Sequence, residues 1–247
     1  VGPRAARVSI FGDVVRWFLD PAHYQGSSGV PNRIFEHLLM SGAALLASAL
    51  IALPIAVLLG HFRKGGSVAI NISNIGRAIP SFAILVLAVQ VVGIGARPAF
   101  LALVALGIPP ILTNTYIGLS EVSPELREAA SGLGMTGFQL LWRVELPIAA
   151  PLIMAGIRTS AVQVVATATL AALVAWGGLG RFIIDGFSQQ DNAQIFAGAI
   201  LVALVATVTE RGLGIVQRAV TPAGLRAPKR GLGRQATLAS QTGVKAA

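Results

Sequence analysis

The chain has 247 residues, 54% of them hydrophobic and only 12% charged, and a mean hydropathy of +0.74; ordinary soluble domains carry roughly 25% charge, so a soluble enzyme is excluded. Its 19 Lys and Arg against 10 Asp and Glu give a net charge of +9, which points to nucleic acid only if the basic residues cluster, and they lie mostly between and after apolar blocks. Cysteine is absent, which removes a disulfide framework, thiol catalysis, an iron–sulfur cluster and a thiolate zinc site.

Residues 8–19, VSIFGDVVRWFL, set Ser9, Asp13, Arg16 and Asp20 at helical spacing opposite Phe11, Val15 and Phe18. The segment is too short and too charged to span a bilayer. It reads as an interfacial helix or as one packed on the protein itself, without the flanks of a signal peptide. After a polar connection over 20–31, the first predicted span is 38–60; as a helix it rises roughly 34 Å, enough for a hydrocarbon core of about 30 Å. Pro54 is expected to kink it. A basic loop (61–66) and a polar helix start (67–76) precede a second apolar block at 78–95, with Arg77 near an interface. A hairpin at 95–98 leads into a third span, 98–119, which contains Pro109 and Pro110 and ends in the polar run Thr113, Asn114, Thr115, Tyr116.

The longest internal hydrophilic segment, 120–151, follows. A fourth span at 159–176 ends in Gly177, Gly178, Leu179 and Gly180, whose glycines either terminate the helix or help close its outer end. A polar loop (181–192), a fifth span (193–209) and a tail at 221–247 rich in Gly, Arg, Ala, Thr and Gln complete the chain. The tail is expected to be disordered and solvated, or to touch anionic headgroups; it lacks the aromatics of an RNA-binding module.

The sequence thus predicts an all-α integral membrane protein with five spans, divided into an extracytoplasmic amphipathic segment (1–33), a transmembrane domain (34–212) and a basic cytoplasmic tail (213–247). With five crossings, twelve basic residues fall on the side of Arg63, Arg127 and Arg218 and six on the side of Arg4, Arg33 and Arg181. The positive-inside rule then puts the N-terminus outside and the C-terminus in the cytoplasm.

His23, His37 and His61 form no HExxH pair, and no GxxxxGK[ST] loop is present, so neither a metal, another cofactor nor nucleotide hydrolysis is expected of this chain. Energy must come from an ion gradient or from a partner ATPase. An ion-coupled secondary transporter of a small polar solute usually carries an intramembrane carboxylate, and the five apolar blocks contain no Asp or Glu; sodium bound by carbonyls and hydroxyls keeps that alternative open.

The segment after the third span reads SPELREAASGLGMTGFQLLWRVELPIAAPLI. Ser123 and Pro124 open a helix as cap and first-turn proline, Glu125 and Glu128 complement its positive end, Gly134 stops it, and a second short helix starts near Thr136. The order Glu128, Ala129, Ala130, three residues, Gly134, nine residues, Val144, one residue, Leu146, Pro147 resembles the EAA loop of ABC importer permeases, with Val144 in place of Ile as the one departure. The runs IPSFAIL (79–85), TNTYIGL (113–119), MAGIRTSAVQ (154–163) and TATLAALVAWGGLG (167–180) look like the permeases that import glycine betaine, choline and carnitine.

That resemblance implies the ABC type-1 importer permease fold with a cytoplasmic coupling helix–turn–helix. It also implies a second permease subunit, ATPase subunits, an extracytoplasmic substrate-binding protein, osmoprotectants or proline-like solutes as cargo, and a bacterial inner-membrane location. Glu128, Ala129, Ala130, Gly134, Val144, Leu146 and Pro147 are the coupling residues it implies. On the fourth span Ser160, Gln163 and Thr167 form a polar stripe, which either lines the translocation path or bonds neighbouring helices. Nothing resembles an aromatic cage for a quaternary amine, which leaves substrate choice to the binding protein.

Overall fold

In the computed structural model residues 3–221 are described, with side chains from Ile10 onward except those of Val68, Ala69, Ile72 and Arg77. Among the described residues there is helix but no strand, the outcome expected where apolar runs must satisfy their own backbone groups away from water. Helix α1 (Pro3–Leu19) begins before the predicted 8–19. It buries Val14 and Trp17 while Phe11, Val15 and Leu19 stay exposed. A 3-10 turn capped by Asp20 leads to α2 (Val30–Phe62), which runs on through Pro54.

The second apolar block is not one span. It divides into the end of α3 (Gly66–Ala78) and α4 (Ser81–Val92), because Pro80 lacks an N–H and drives Ile79 into extended backbone. Among the described residues four helices are individually long and apolar enough to cross a membrane: α2, α5 (Ala96–Ser120), the helix Gly137–Val174 and α10 (Asn192–Val220). The half-helices α3 and α4 lie end to end along α5, with Gly66 against Tyr116, Gly76 against Pro109, and Leu85 among Ala99, Ala102 and Leu103.

The hydrophilic segment 120–151 holds the two expected helices. After α6 (Pro124–Gly132), the second helix is not short: α7 (Gly137–Leu140), a π-helical turn at Leu141–Glu145, α8 (Leu146–Thr167) and 3-10 turns at Ala168–Val174 follow without a break. The fourth span therefore starts far ahead of residue 159. Pro147 removes an N–H from the helix interior, and just before it Leu146 N donates five residues back, to Leu141 O. The predicted loop 181–192 is largely α9 (Gly180–Gln189), and α10 extends past residue 209. The tail and its expected disorder lie outside the described residues.

Helix α5 is the centre, packed by α2, α3, α4 and α8. Small residues and hydroxyls bring these helices together, as they must where lipid is as apolar as Leu. Ser48 Oγ lies 2.8 Å from Ala44 O and 3.0 Å from Val104 O, Ser160 Oγ donates to Gly107 O at 2.9 Å, and a Cβ on Gly107 would stand 2.4 Å from Ser48 Oγ. Helices α1 and α9 share one end of the bundle, where Trp17 meets Phe182 edge-on at 5.4 Å. The α6 segment and the last turns of α2 and α10 share the other.

Candidate coupling site

Helix α6 is built as a separable unit. Ser123 Oγ accepts from Leu126 N at 3.3 Å, Pro124 opens the first turn and Glu125 lies in it. At the far end Gly134 N donates to Ser131 O (2.9 Å) and Met135 N to Ala130 O (3.2 Å), a Schellman closure whose left-handed position is Gly134, φ +82°. Thr136 and Gln139 then form a reciprocal capping box for α7. The result is two helices joined by a tight turn at the end of the bundle.

Glu128 and Ala129 are exposed, Ala130 is buried, and Gly134 has open space where a side chain would project. Val144, Leu146 and Pro147 are half-buried at the start of the long helix. Leu126, Leu133 and Phe138 expose apolar surface on this segment, with Leu133 at 82% and Phe138 at 71%. A groove of about 240 Å³ separates α6 from the end of α2, lined by His61, Phe62, Arg63, Pro124, Arg127 and Glu128. Contiguous exposed apolar groups beside a polar groove are what a protein partner covers.

Sequence inspection missed Glu145. It hides between Val144 and Leu146 in the motif yet is fully buried. Its Oε2 accepts from His61 Nδ1 at 2.6 Å, and Arg127 Nη2 forms an ion pair with Oε1 at 2.9 Å. The pair is a close approach without hydrogen-bond alignment on that oxygen. A buried carboxylate costs several kcal/mol unless paired, so both partners are needed. The available signal was an acid set among the apolar Leu141, Ile148 and Ala149 at helical spacing; its partner His61 lies 84 residues away.

The polar stripe of α8 divides by environment. Ser160 is fully buried and bonded to α5. Gln163 is half-buried with no hydrogen-bond partner among the described residues. Thr167 borders a water-sized cavity of about 10 Å³ with Ser81, Leu85 and Leu103. At the end opposite α6, the turn after Val174 packs on α2: Gly178 N donates to Glu36 Oε2 (2.8 Å), which also takes Arg33 Nη1 (2.8 Å), and His37 Nε2 donates to Val165 O (2.9 Å). Gly177 and Gly180 do more than end a helix. A Cβ on Gly177 would fall 2.0 Å from Glu36 Oε2, and one on Gly180 2.1 Å from Thr169 O.

With this geometry in place, comparison with known proteins is decisive. Residues 48–222 match the family described as binding-protein-dependent transport system inner membrane component. The chain belongs to that family. It is 40% identical over 194 residues, 78% of this chain and 89% of the relative, to the choline transport system permease protein OpuBB of Bacillus subtilis (strain 168). It is 33% identical over 219 residues to the osmoprotectant import permease protein OsmW of Salmonella typhimurium, covering 87% of this chain and 100% of that one. Among solved structures it resembles a chain of the MetNI methionine ABC transporter in inward-facing form, with a TM-score of 0.66 and 26% identity over 76% of this chain and 94% of that one. The protein is thus a multi-pass inner-membrane permease component of an ABC importer and not an enzyme; a second permease, an ATPase and a binding protein are the partners this class implies. Family membership removes the ion-coupled carrier.

Proposed function

We propose that this chain is the permease of an ATP-driven importer of osmoprotectants, compounds such as glycine betaine, choline and carnitine. The observation that carries the cargo assignment is the 39–40% identity, over most of both chains, to permeases named for choline and for glycine betaine, carnitine and choline transport. Deleting the chain should abolish uptake of labelled choline, betaine or carnitine under osmotic stress. A defect confined to an anionic or sugar solute would remove the cargo and leave the importer class.

Within that reading, α6 and Gly134 form the coupling element, with the exposed Glu128 and Ala129 facing the ATPase, the buried Ala130 seating the helix beneath them, and Val144, Leu146 and Pro147 joining the element to α8. The broken pair α3–α4 makes the fifth crossing, within a transmembrane domain at 34–212. The N-terminus lies outside and the C-terminus in the cytoplasm; the charge asymmetry and the odd number of crossings support this orientation. Gln163 and Thr167 are the stripe members open enough to border a path formed with the second permease. Substrate selection rests with the binding protein, since the spans offer little aromatic surface. Because the chain lacks cysteine, single cysteines at Ser28 and Gln189 should react with an impermeant thiol reagent in intact cells, and one at Thr136 only after permeabilisation. Labelling of Thr136 from outside would overturn the orientation.

A further inference from the structure

Helix α6 is joined through the chain to α5 on one side and to α8 on the other. Helix α2 has no such link to it, yet its last turn is tied to the α6 segment at several points. His61 Nδ1 donates to the buried Glu145, Arg127 reaches both Glu145 Oε1 and the His61 carbonyl (2.8 Å), and Arg63 donates to the carbonyl of Val122. The His61 ring also abuts the start of α7, its Nε2 3.7 Å from where a Gly137 side chain would begin. Behind this cluster Gly60 packs on Leu119 closely enough that a Cβ would sit 2.6 Å from the Leu119 Cβ. Three elements distant in sequence therefore converge on one carboxylate that solvent does not reach.

We propose that Glu145, held between Arg127 and His61, is a positioning residue for energy coupling that makes α2 move as one body with α6 and α8. The proposal rests on the coupling role assigned to α6 above. Without the joint, a displacement of α6 reaches α5 and α8 directly through the chain, and α2 follows only through its packing on α5 and the bonds of Arg127 and Arg63 to main-chain carbonyls. With it, the displacement carries α2, α6 and the base of α8 together, because the buried carboxylate gives up part of the pairing that offsets its burial if it leaves either Arg127 or His61. The ionic contact thereby restricts the cluster to a few discrete arrangements, the kind of element through which two sites are coupled.

The test uses the assembled transporter in vesicles, comparing the unaltered chain with Glu145→Gln and, separately, His61→Gln, which alters a partly exposed partner and bears less on folding. Complex yield, ATP hydrolysis and uptake are measured on the same preparations. Both variants should assemble and hydrolyse ATP while uptake per ATP falls by about tenfold, a typical size for coupling between sites. Spin labels on cysteines placed at Phe62 and Ser131 should keep one separation with and without ATP in the otherwise unaltered chain and lose that constancy with Glu145→Gln. A Phe62–Ser131 separation that already changes with ATP in the parent, or normal uptake per ATP in both variants, overturns the joint. So does loss of uptake strictly in step with loss of complex, which marks a pair that only supports the fold. If no ATPase assembles with the unaltered chain, the coupling reading of α6 fails instead.

Discussion

At the end that carries α9, the turn 177–180 meets the rest of the bundle through main-chain atoms and missing side chains; at the end that carries α6, the corresponding contact with α2 runs through Arg, His and Glu side chains. Where backbone meets backbone, as Gly180 meets Thr169, the approach has no slack, since packed interiors cannot absorb even a methyl group without shifts. An ion pair on a buried carboxylate instead travels with its helices, because the charge keeps its partners while whole helices shift. One end is built to keep its shape, and the other, in the coupling role proposed for α6, to transmit a displacement.

The largest expected effect breaks the rigid end. Gly180→Ala sets a methyl group 2.1 Å from Thr169 O, and neither backbone can yield. The cost should be about 3 kcal/mol, seen as a sharp fall in monodisperse protein after detergent extraction. Normal yield and thermal stability would show that the turn has slack after all. The opposite end should respond in the opposite manner. Gly134→Val meets no atom within 4 Å but must hold a φ of +82°, a local cost of about 1–2 kcal/mol. Membrane levels should stay near normal while uptake collapses, and Glu128→Lys should do the same. Wild-type uptake in both would reduce α6 to an ordinary connection.

The smallest effect separates two neighbours on α8. Ser160→Ala loses the hydrogen bond to Gly107 O and should cost about 0.6 kcal/mol, the average for such bonds in membranes, with uptake per folded molecule unchanged. Gln163→Ala breaks no protein hydrogen bond among the described residues, so stability should hold while the KM for transport shifts. The reverse pattern would place the path on the Ser160 side.

Much of this division was legible in the sequence. Long uncharged blocks announced the helices, and Ser123, Pro124 and Gly134 marked both ends of α6 by local chemistry alone. What stayed hidden depends on tertiary contact. The polar residues Arg33, Glu36 and His37 looked like an approach to the first span, yet they lie within α2 because Gly178 and Val165 supply partners from the far side of the chain. Hydropathy likewise set the second helix, from Thr136, apart from the fourth span as a short one, although half-buried positions continue it into that span. Pro80 was visible, but an averaged apolar block conceals a single break. Glu145 was unreadable as a joint because burial is not a property of residue type.

The π-helical turn at Leu141–Glu145 has a consequence for how permeases of this kind are matched to their ATPases. A π turn carries one residue beyond the α-helical count, and each residue advances a helix by about 100°. The face that α7 shows its partner is therefore out of phase with the face that α8 shows the other spans. Deleting one residue between 141 and 144 would straighten the helix and swing Leu133 and Phe138 around its axis by more than a quarter turn, with the docking residues themselves unchanged. If α6 and α7 dock the ATPase as proposed above, pairing is then set partly by a phase angle, and a chain with the same docking residues but a shifted bulge would not fit the same ATPase.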